Sequence, residues 1–158
     1  MASETTGSCL CGACTYSYTG EPAMKVKLDP DSRLQPPKVA NPHKALCYCG
    51  PCRRVSGGTN TVNFAVPSGN FTVTKGQAKS YPAEHEYGMT LTIFFCPDCG
   101  NTLWKEATAE QFKGVKLVQA GTLNDAKNLD TTIDAELYAP ERASFLTAIE
   151  NAAQKKDF

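Results

Sequence analysis

The chain has 158 residues, with sixteen basic and sixteen acidic side chains and no long run of either sign. That length suits one domain, 1–158, with a core of its own, and the balanced charge excludes the basic footprint of a nucleic-acid binder. No apolar stretch nears the roughly 20 residues that cross a bilayer, and Met1 to Gly7 lacks the pattern of a secretory leader. The expectation is a protein of a reducing, cytoplasmic compartment, with neither nucleic acid nor membrane as partner.

In chain order, Gly7-Ser8-Cys9-Leu10-Cys11-Gly12-Ala13-Cys14 leads into a β-rich run, Thr15 to Thr19, which Gly20 ends. Residues 21–44 differ in composition: five of the ten prolines fall there (Pro22, Pro30, Pro36, Pro37, Pro42), among polar and charged residues. This Pro-rich insertion is either a solvated excursion or a flap, and Met24 to Leu28 alternates like a short strand. Ala45-Leu46-Cys47 reads as a strand end and Gly50-Pro51 as a tight turn. Further strands are expected over 61–67, 71–76, 77–81, 88–95, 101–105, 115–121 and 132–138, with a helical turn at 110–112. Pro140 and Glu141 suit the first turn of a helix, and Phe145, Leu146, Ile149, Ala152 and Ala153 mark its apolar face. The pattern predicts a mainly β, antiparallel architecture with one C-terminal helix.

Eight cysteines in a reducing compartment point to metal rather than disulfides. They form three clusters: Cys9, Cys11 and Cys14; Cys47, Cys49 and Cys52; Cys96 and Cys99. Close-set thiolates suit a borderline ion, zinc above all. Phe95-Cys96-Pro97-Asp98-Cys99-Gly100 has the form of a zinc knuckle, and Cys9 with Cys11 can complete a closed four-sulfur site. Cys14 suits either a ligand or a small core residue. Cys47, Cys49 and Cys52 then lack an obvious fourth ligand, unless Cys14, His43 or His85 supplies it. Zinc on three thiolates carries a net charge near minus one, which favours capture of a thiol over hydrolysis. Arg53 and Arg54 can offset that charge or clamp a carboxylate.

Taken together, GSCLCGACTY, CYCGPCRRVSGG, FFCPDCGNTLW and VQAGTLND resemble the glutathione-dependent formaldehyde-activating enzyme family, which includes centromere protein V. The resemblance runs from about Gly7 to about Arg142. It implies a β-tent of small antiparallel sheets pinned by zinc. It also implies a structural zinc on Cys9, Cys11, Cys96 and Cys99, a functional zinc on Cys47, Cys49 and Cys52, and the joining of glutathione to formaldehyde, a carbon–sulfur lyase activity. The chain departs from the family at Tyr48, often histidine there, at Cys14, usually aliphatic, and in a longer loop before Cys47.

Two readings follow. In the first, an enzyme binds a small-molecule thiol or its adduct at the open zinc. Arg53, Arg54 and backbone amides near Ser56 and Gly57 would hold its carboxylates, and Tyr48, Glu84, His85 and Glu86 are candidate proton carriers. In the second, both zincs are structural and the domain is a scaffold or a glutathione carrier; a homodimer suits either. A redox role for Cys96 and Cys99 is disfavoured, because that turn lacks a helix N-terminus to lower a thiol pKa.

Overall fold

The computed structural model describes residues 4–20 and 44–158. Met24 to Leu28, His43 and nearly all of the Pro-rich insertion lie outside the described residues. Eleven strands and one α-helix occur among the described residues. Strands β1 (Glu4–Ser8), β2 (Thr15–Thr19) and β5 (Phe71–Lys75) form a three-stranded sheet in the order β1-β2-β5. The remaining strands are β3 (Lys44–Cys47), β4 (Thr61–Pro67), β6 (Lys79–Glu84), β7 (Thr90–Phe95), β8 (Thr102–Ala107), β9 (Val115–Gln119), β10 (Ala135–Leu137) and β11 (Ala153–Gln154). They make one open sheet in the order β11-β10-β3-β4-β9-β8-β7-β6. No helix among the described residues is long and apolar enough to cross a membrane.

The fold is mainly β, as the alternation of its strands predicts, and its pairings are antiparallel except at one edge. There β10 runs parallel to both β3 and β11. The sheets are also unequal, since one of them takes up eight strands. Strand β1 has no apolar alternation to announce it. It forms because Gly7 lies opposite Tyr16, where a Cβ would stand 2.2 Å from the tyrosine ring. Strand β6 runs through Pro82, which costs no ladder bond at the outermost position of the sheet.

The expected C-terminal helix does not form. Ala139–Glu141 is a single 3₁₀ turn, and the chain then folds through turns to β11. The cause is Glu136, a carboxylate with no solvent exposure. It accepts hydrogen bonds from Tyr48 Oη at 2.5 Å, Gln154 Nε2 at 2.6 Å, Ile149 N at 2.8 Å and Arg142 Nη1 at 3.1 Å. Taking the Ile149 N–H removes a helical bond, Asn151 adopts φ +65°, and Phe145, meant for a buried face, is exposed. The burial cost of one anion outweighs the modest helix propensity of the segment. The α-helix sits elsewhere: α1 (Gly50–Ser56) replaces the expected Gly-Pro turn. Pro51 fixes φ in its first turn, and Gly57, at φ +65°, caps its end.

Burial alone would raise the Glu136 pKa, but Tyr48, Gln154, the Ile149 amide and Arg142 together hold it at about 2. Because the folded pKa is depressed, this stabilisation is complete above the ordinary value near 4.5 and is lost as pH falls from there toward 2. Glu136→Gln should destabilise the protein at neutral pH by about 2–4 kcal/mol, since it leaves Arg142 without its charge partner, held only by Gln154 Oε1, and turns an amide NH₂ toward donors. It should also flatten the loss of stability across that acid window. Urea midpoints of both proteins at pH 7 and pH 3 check this; equal midpoints at pH 7 would refute it.

Candidate metal centre

The two faces of the long sheet carry different chemistry. Phe64, Trp104 and Val118 turn to one face and join Tyr16, Tyr18 and Phe71 of the smaller sheet in a common core that includes Cys9, Cys14 and Cys96. Their strand neighbours Asn63, Ala65, Lys105 and Leu117 turn to the other face and line a cleft. That reversal is the period-two alternation of strands. Each face carries one cysteine group.

On the first face, the sulfurs of Cys9, Cys11, Cys96 and Cys99 lie within 4.8 Å of one another. Cys11 Sγ stands 3.6 Å from Cys9 Sγ and 3.7 Å from Cys96 Sγ. Two similar knuckles present them. Gly12 N bonds Cys9 O at 3.1 Å and Gly100 N bonds Cys96 O at 2.9 Å, and both glycines adopt positive φ. The Cys14 amide donates to Cys9 Sγ at 3.2 Å, while the Cys14 side chain stays in the adjoining core. Burial pushes the Cys9 thiol up, but the Cys14 amide and the surrounding sulfurs bring it down to about 6. Four sulfurs that can share protons in this way can hold a metal ion.

On the second face, the sulfurs of Cys47, Cys49 and Cys52 lie within 4.8 Å of one another, and all three residues are buried. Cys47 ends β3, Cys49 immediately precedes α1, and the first helical turn brings Cys52 back beside Cys49. Tyr48, between them, must point to the opposite side, and there its hydroxyl meets Glu136. Among the described residues no fourth donor joins this group. Cys14 belongs to the other core, and the ring nitrogens of His85 are not within the cluster's reach.

One partner of the three sulfurs had no signal in the sequence. Lys105 on β8 is 1 % exposed and donates from Nζ to Cys52 Sγ at 3.2 Å and to Thr61 Oγ1 at 3.0 Å. Hydrogen bonds from the Cys47 and Cys49 thiols lower the Cys52 pKa most. Burial opposes them, and the Lys105 charge and the Thr61 hydroxyl assist. The result lies well below the ordinary thiol range, and the Cys47 thiol is pushed up in exchange. The negative charge of the group is therefore focused on Cys52, against a buried cation.

The cleft beside these sulfurs is partly open, has a cavity volume of about 40 Å³, and is walled mainly by Ala45, Ala65, Met89, Leu91, Phe112, Leu117, Leu137 and Phe158. Its polar members are few. Asn63 is occupied by Thr61 and Gln119. His85, 4 % exposed, accepts the Tyr87 N–H on Nδ1 at 3.3 Å, and its Nε2 has no hydrogen-bond partner among the described residues. Burial holds its pKa below the usual histidine value, and because Nδ1 accepts the Tyr87 N–H the neutral ring carries its proton on Nε2. The rings of Tyr87, Tyr138 and Phe158 surround it at centroid distances of 5.4–5.8 Å. Tyr138 sits at φ +55°, an uncommon conformation for an aromatic residue beside a site.

A protein-family model described as glutathione-dependent formaldehyde-activating enzyme matches residues 34–141, about two thirds of the chain. The chain belongs to this family. The matched span takes in the Cys47 group, the Cys96 knuckle and Lys105. Cys9 and Cys11 lie outside it and are brought in by the fold. The crystal structure of a Rhodobacter sphaeroides protein, a Northeast Structural Genomics target, is similar at 16% identity, with a TM-score of 0.51. It covers 80% of this chain and 96% of its own, a likeness of fold alone. No curated protein matches the sequence.

The other sequence-predicted residues fall away from the cleft wall. Arg53 and Arg54 are exposed on α1, and Arg53 pairs with Glu141 at 3.4 Å. Ser56 and Gly57 are exposed at the end of the same helix, and the Ser56 hydroxyl is tied to Arg53 O and Gly58 N. Glu84 and Glu86 are exposed on either side of His85. Of the four candidate proton carriers, only His85 lines the cleft.

Proposed function

We propose that this protein is a zinc-dependent enzyme of the carbon–sulfur lyase type, acting in a reducing, cytoplasmic setting. It makes or breaks the bond between a glutathione-like thiol and an aldehyde or another electrophilic carbon. One observation supports this reading most. Three buried cysteine sulfurs edge a partly open apolar cleft, and no fourth ligand from the described residues closes their group. Cys9, Cys11, Cys96 and Cys99 would hold a second zinc, all four of its positions filled by the protein, as a fastening between the N-terminal segment and β7–β8.

The donor sets fit that ion: sulfur only, each group's sulfurs within 4.8 Å of one another, with Lys105 offsetting the excess negative charge of three thiolates. When bound at the Cys47 group, zinc would supply deprotonation of a visiting thiol. The chain's own residues would do the rest. Lys105 and Thr61 keep Cys52 anionic, and the apolar walls exclude water. His85, which lines the cleft with an unpartnered Nε2 among the described residues, would donate to an aldehyde oxygen bound there and favour negative charge developing on it. In the forward direction a sulfur lone pair forms the C–S bond and the carbonyl π pair moves to oxygen. That oxygen ends with the proton the thiol released, and cleavage of the adduct reverses each step. Arg53 and Arg54, with the amides of Ser56 and Gly57, are our candidates for binding the thiol's carboxylates. Tyr48 serves as a positioning residue, anchored by Glu136 between two of the sulfurs.

Exchange between free formaldehyde and its glutathione adduct, followed by NMR, tests the proposal. The zinc-loaded protein should speed it. Cys49→Ser should reduce the acceleration by about a hundredfold or more, lower bound zinc to one equivalent and keep the far-UV spectrum. Unchanged exchange in the folded variant would defeat the assignment.

A further inference from the structure

The walls of the cleft say more about the substrate than the sulfurs do. Formaldehyde contributes a single carbon to its thiol adduct, which has no apolar body to place against Ala45, Ala65, Met89, Leu91, Phe112 and Phe158. Ala45 and Ala65 are small residues at positions where the strands point inward, so space is left beyond the sulfurs. Against this apolar lining stands one free donor. His85 is 4 % exposed, its Nδ1 is occupied by the Tyr87 amide and its Nε2 has no partner among the described residues. A buried donor without a partner is uncommon, and at the wall of a cleft it marks where an acceptor of the ligand belongs. The other polar groups of the cleft are already committed, Lys105 to Cys52 and Thr61 and Asn63 to Thr61 and Gln119.

We infer that the cleft takes the thiol adduct of an apolar aldehyde larger than formaldehyde, whose hydrocarbon chain packs along these walls toward the open side and whose single oxygen accepts from His85 Nε2–H. This rests on the thiol-adduct reading above and deepens it by naming the electrophile's class. The selectivity is a matter of area and one hydrogen bond: each methylene buried adds affinity, and one acceptor near sulfur satisfies the histidine.

The test uses the zinc-loaded full chain and titration calorimetry with stable analogues. S-methyl-, S-butyl- and S-hexylglutathione form one series, and the same alkyl groups on N-acetylcysteamine form a second, free of the tripeptide. The dissociation constant should fall about threefold to fourfold per added methylene. Ala65→Phe, which fills the cleft, should abolish that dependence. S-hexanoylglutathione should bind about fivefold tighter than S-hexylglutathione, an advantage lost in His85→Phe and partly restored in His85→Gln, with the chain-length dependence kept in both. Dependence in the N-acetylcysteamine series alone would uphold the apolar cleft and overturn the glutathione part of the earlier reading. Affinities that ignore chain length in both series, or a dependence that survives Ala65→Phe, would overturn the inference.

Discussion

Replacing Cys96 with serine should abolish the native fold, whereas Cys49→Ser should leave it standing. The two residues are equally buried to within a percent, at 0 % and 1 % exposure, so burial does not separate them. What separates them is what their groups join. Cys96 shares its group with Cys9 and Cys11, some 85 residues away in sequence, and sits in the core where the two sheets meet. The first knuckle sits between β1, held by the Asn124 N to Thr6 O bond, and β2, which pairs with β5, and its own Cys9 and Cys14 lie in that shared core. A metal there would close a very long loop, and the binding free energy of a structural zinc, about 10–16 kcal/mol, is comparable to the whole stability of an ordinary domain. The Cys47 group, by contrast, spans six residues at the end of one strand and the start of one helix, already held by the β3–β4 and β3–β10 ladders. Losing its metal removes chemistry and little architecture. Chelator titration of the wild type should therefore show two phases. The first should strip one equivalent of zinc and the activity with no spectral change, and the second should strip the other equivalent together with near-UV and far-UV signal. Cooperative loss of both equivalents with unfolding would contradict this division.

Much of this was legible in the sequence because it depends on local spacing. The strands from β4 to β9 follow their alternation closely, and the cysteine triplet with its distant knuckle announced two sulfur groups before any geometry was known. The C-terminal segment shows where local pattern fails. Phe145, Leu146, Ile149, Ala152 and Ala153 have helical spacing, yet Glu136, in a different element, takes the Ile149 amide and fixes the chain in turns. Its burial depends on Tyr48, Gln154 and Arg142 converging from three segments, which no window of sequence displays. Lys105 was hidden for a related reason. A lysine in Thr102–Ala107 looks like the solvent side of a strand, and only the pairing of β8 between β7 and β9 places it inside, opposite Ile93 and Leu117. His85 was visible as a residue type beside Glu84 and Glu86, but its orientation comes from the β6–β7 turn, in which His85 N bonds Met89 O.

Lys105→Met should impair the site about tenfold to a hundredfold while leaving the fold intact. Methionine matches lysine in length and suits an apolar wall, so no cavity opens and the strand keeps its ladder. The loss is electrostatic. Three thiolates and a divalent ion leave one excess negative charge, and a fourth thiolate from the substrate makes two, in a cleft with little water to screen them. Lys105 Nζ, 3.2 Å from Cys52 Sγ, is the cation that meets that charge. A charge-assisted hydrogen bond of this kind contributes about 1.5–3 kcal/mol, which sets the expected range. The effect should grow with the charge of the ligand, so glutathione binding should weaken more than binding of its S-methyl derivative, which brings no thiolate. Lys105→Arg should fail to restore it: a planar guanidinium needs a broader space than the single Nζ fills between Cys52 and Thr61. Calorimetry with both ligands, alongside a competition assay for zinc, separates this from a general loosening. If the two ligands weakened equally, Lys105 would be only a packing residue.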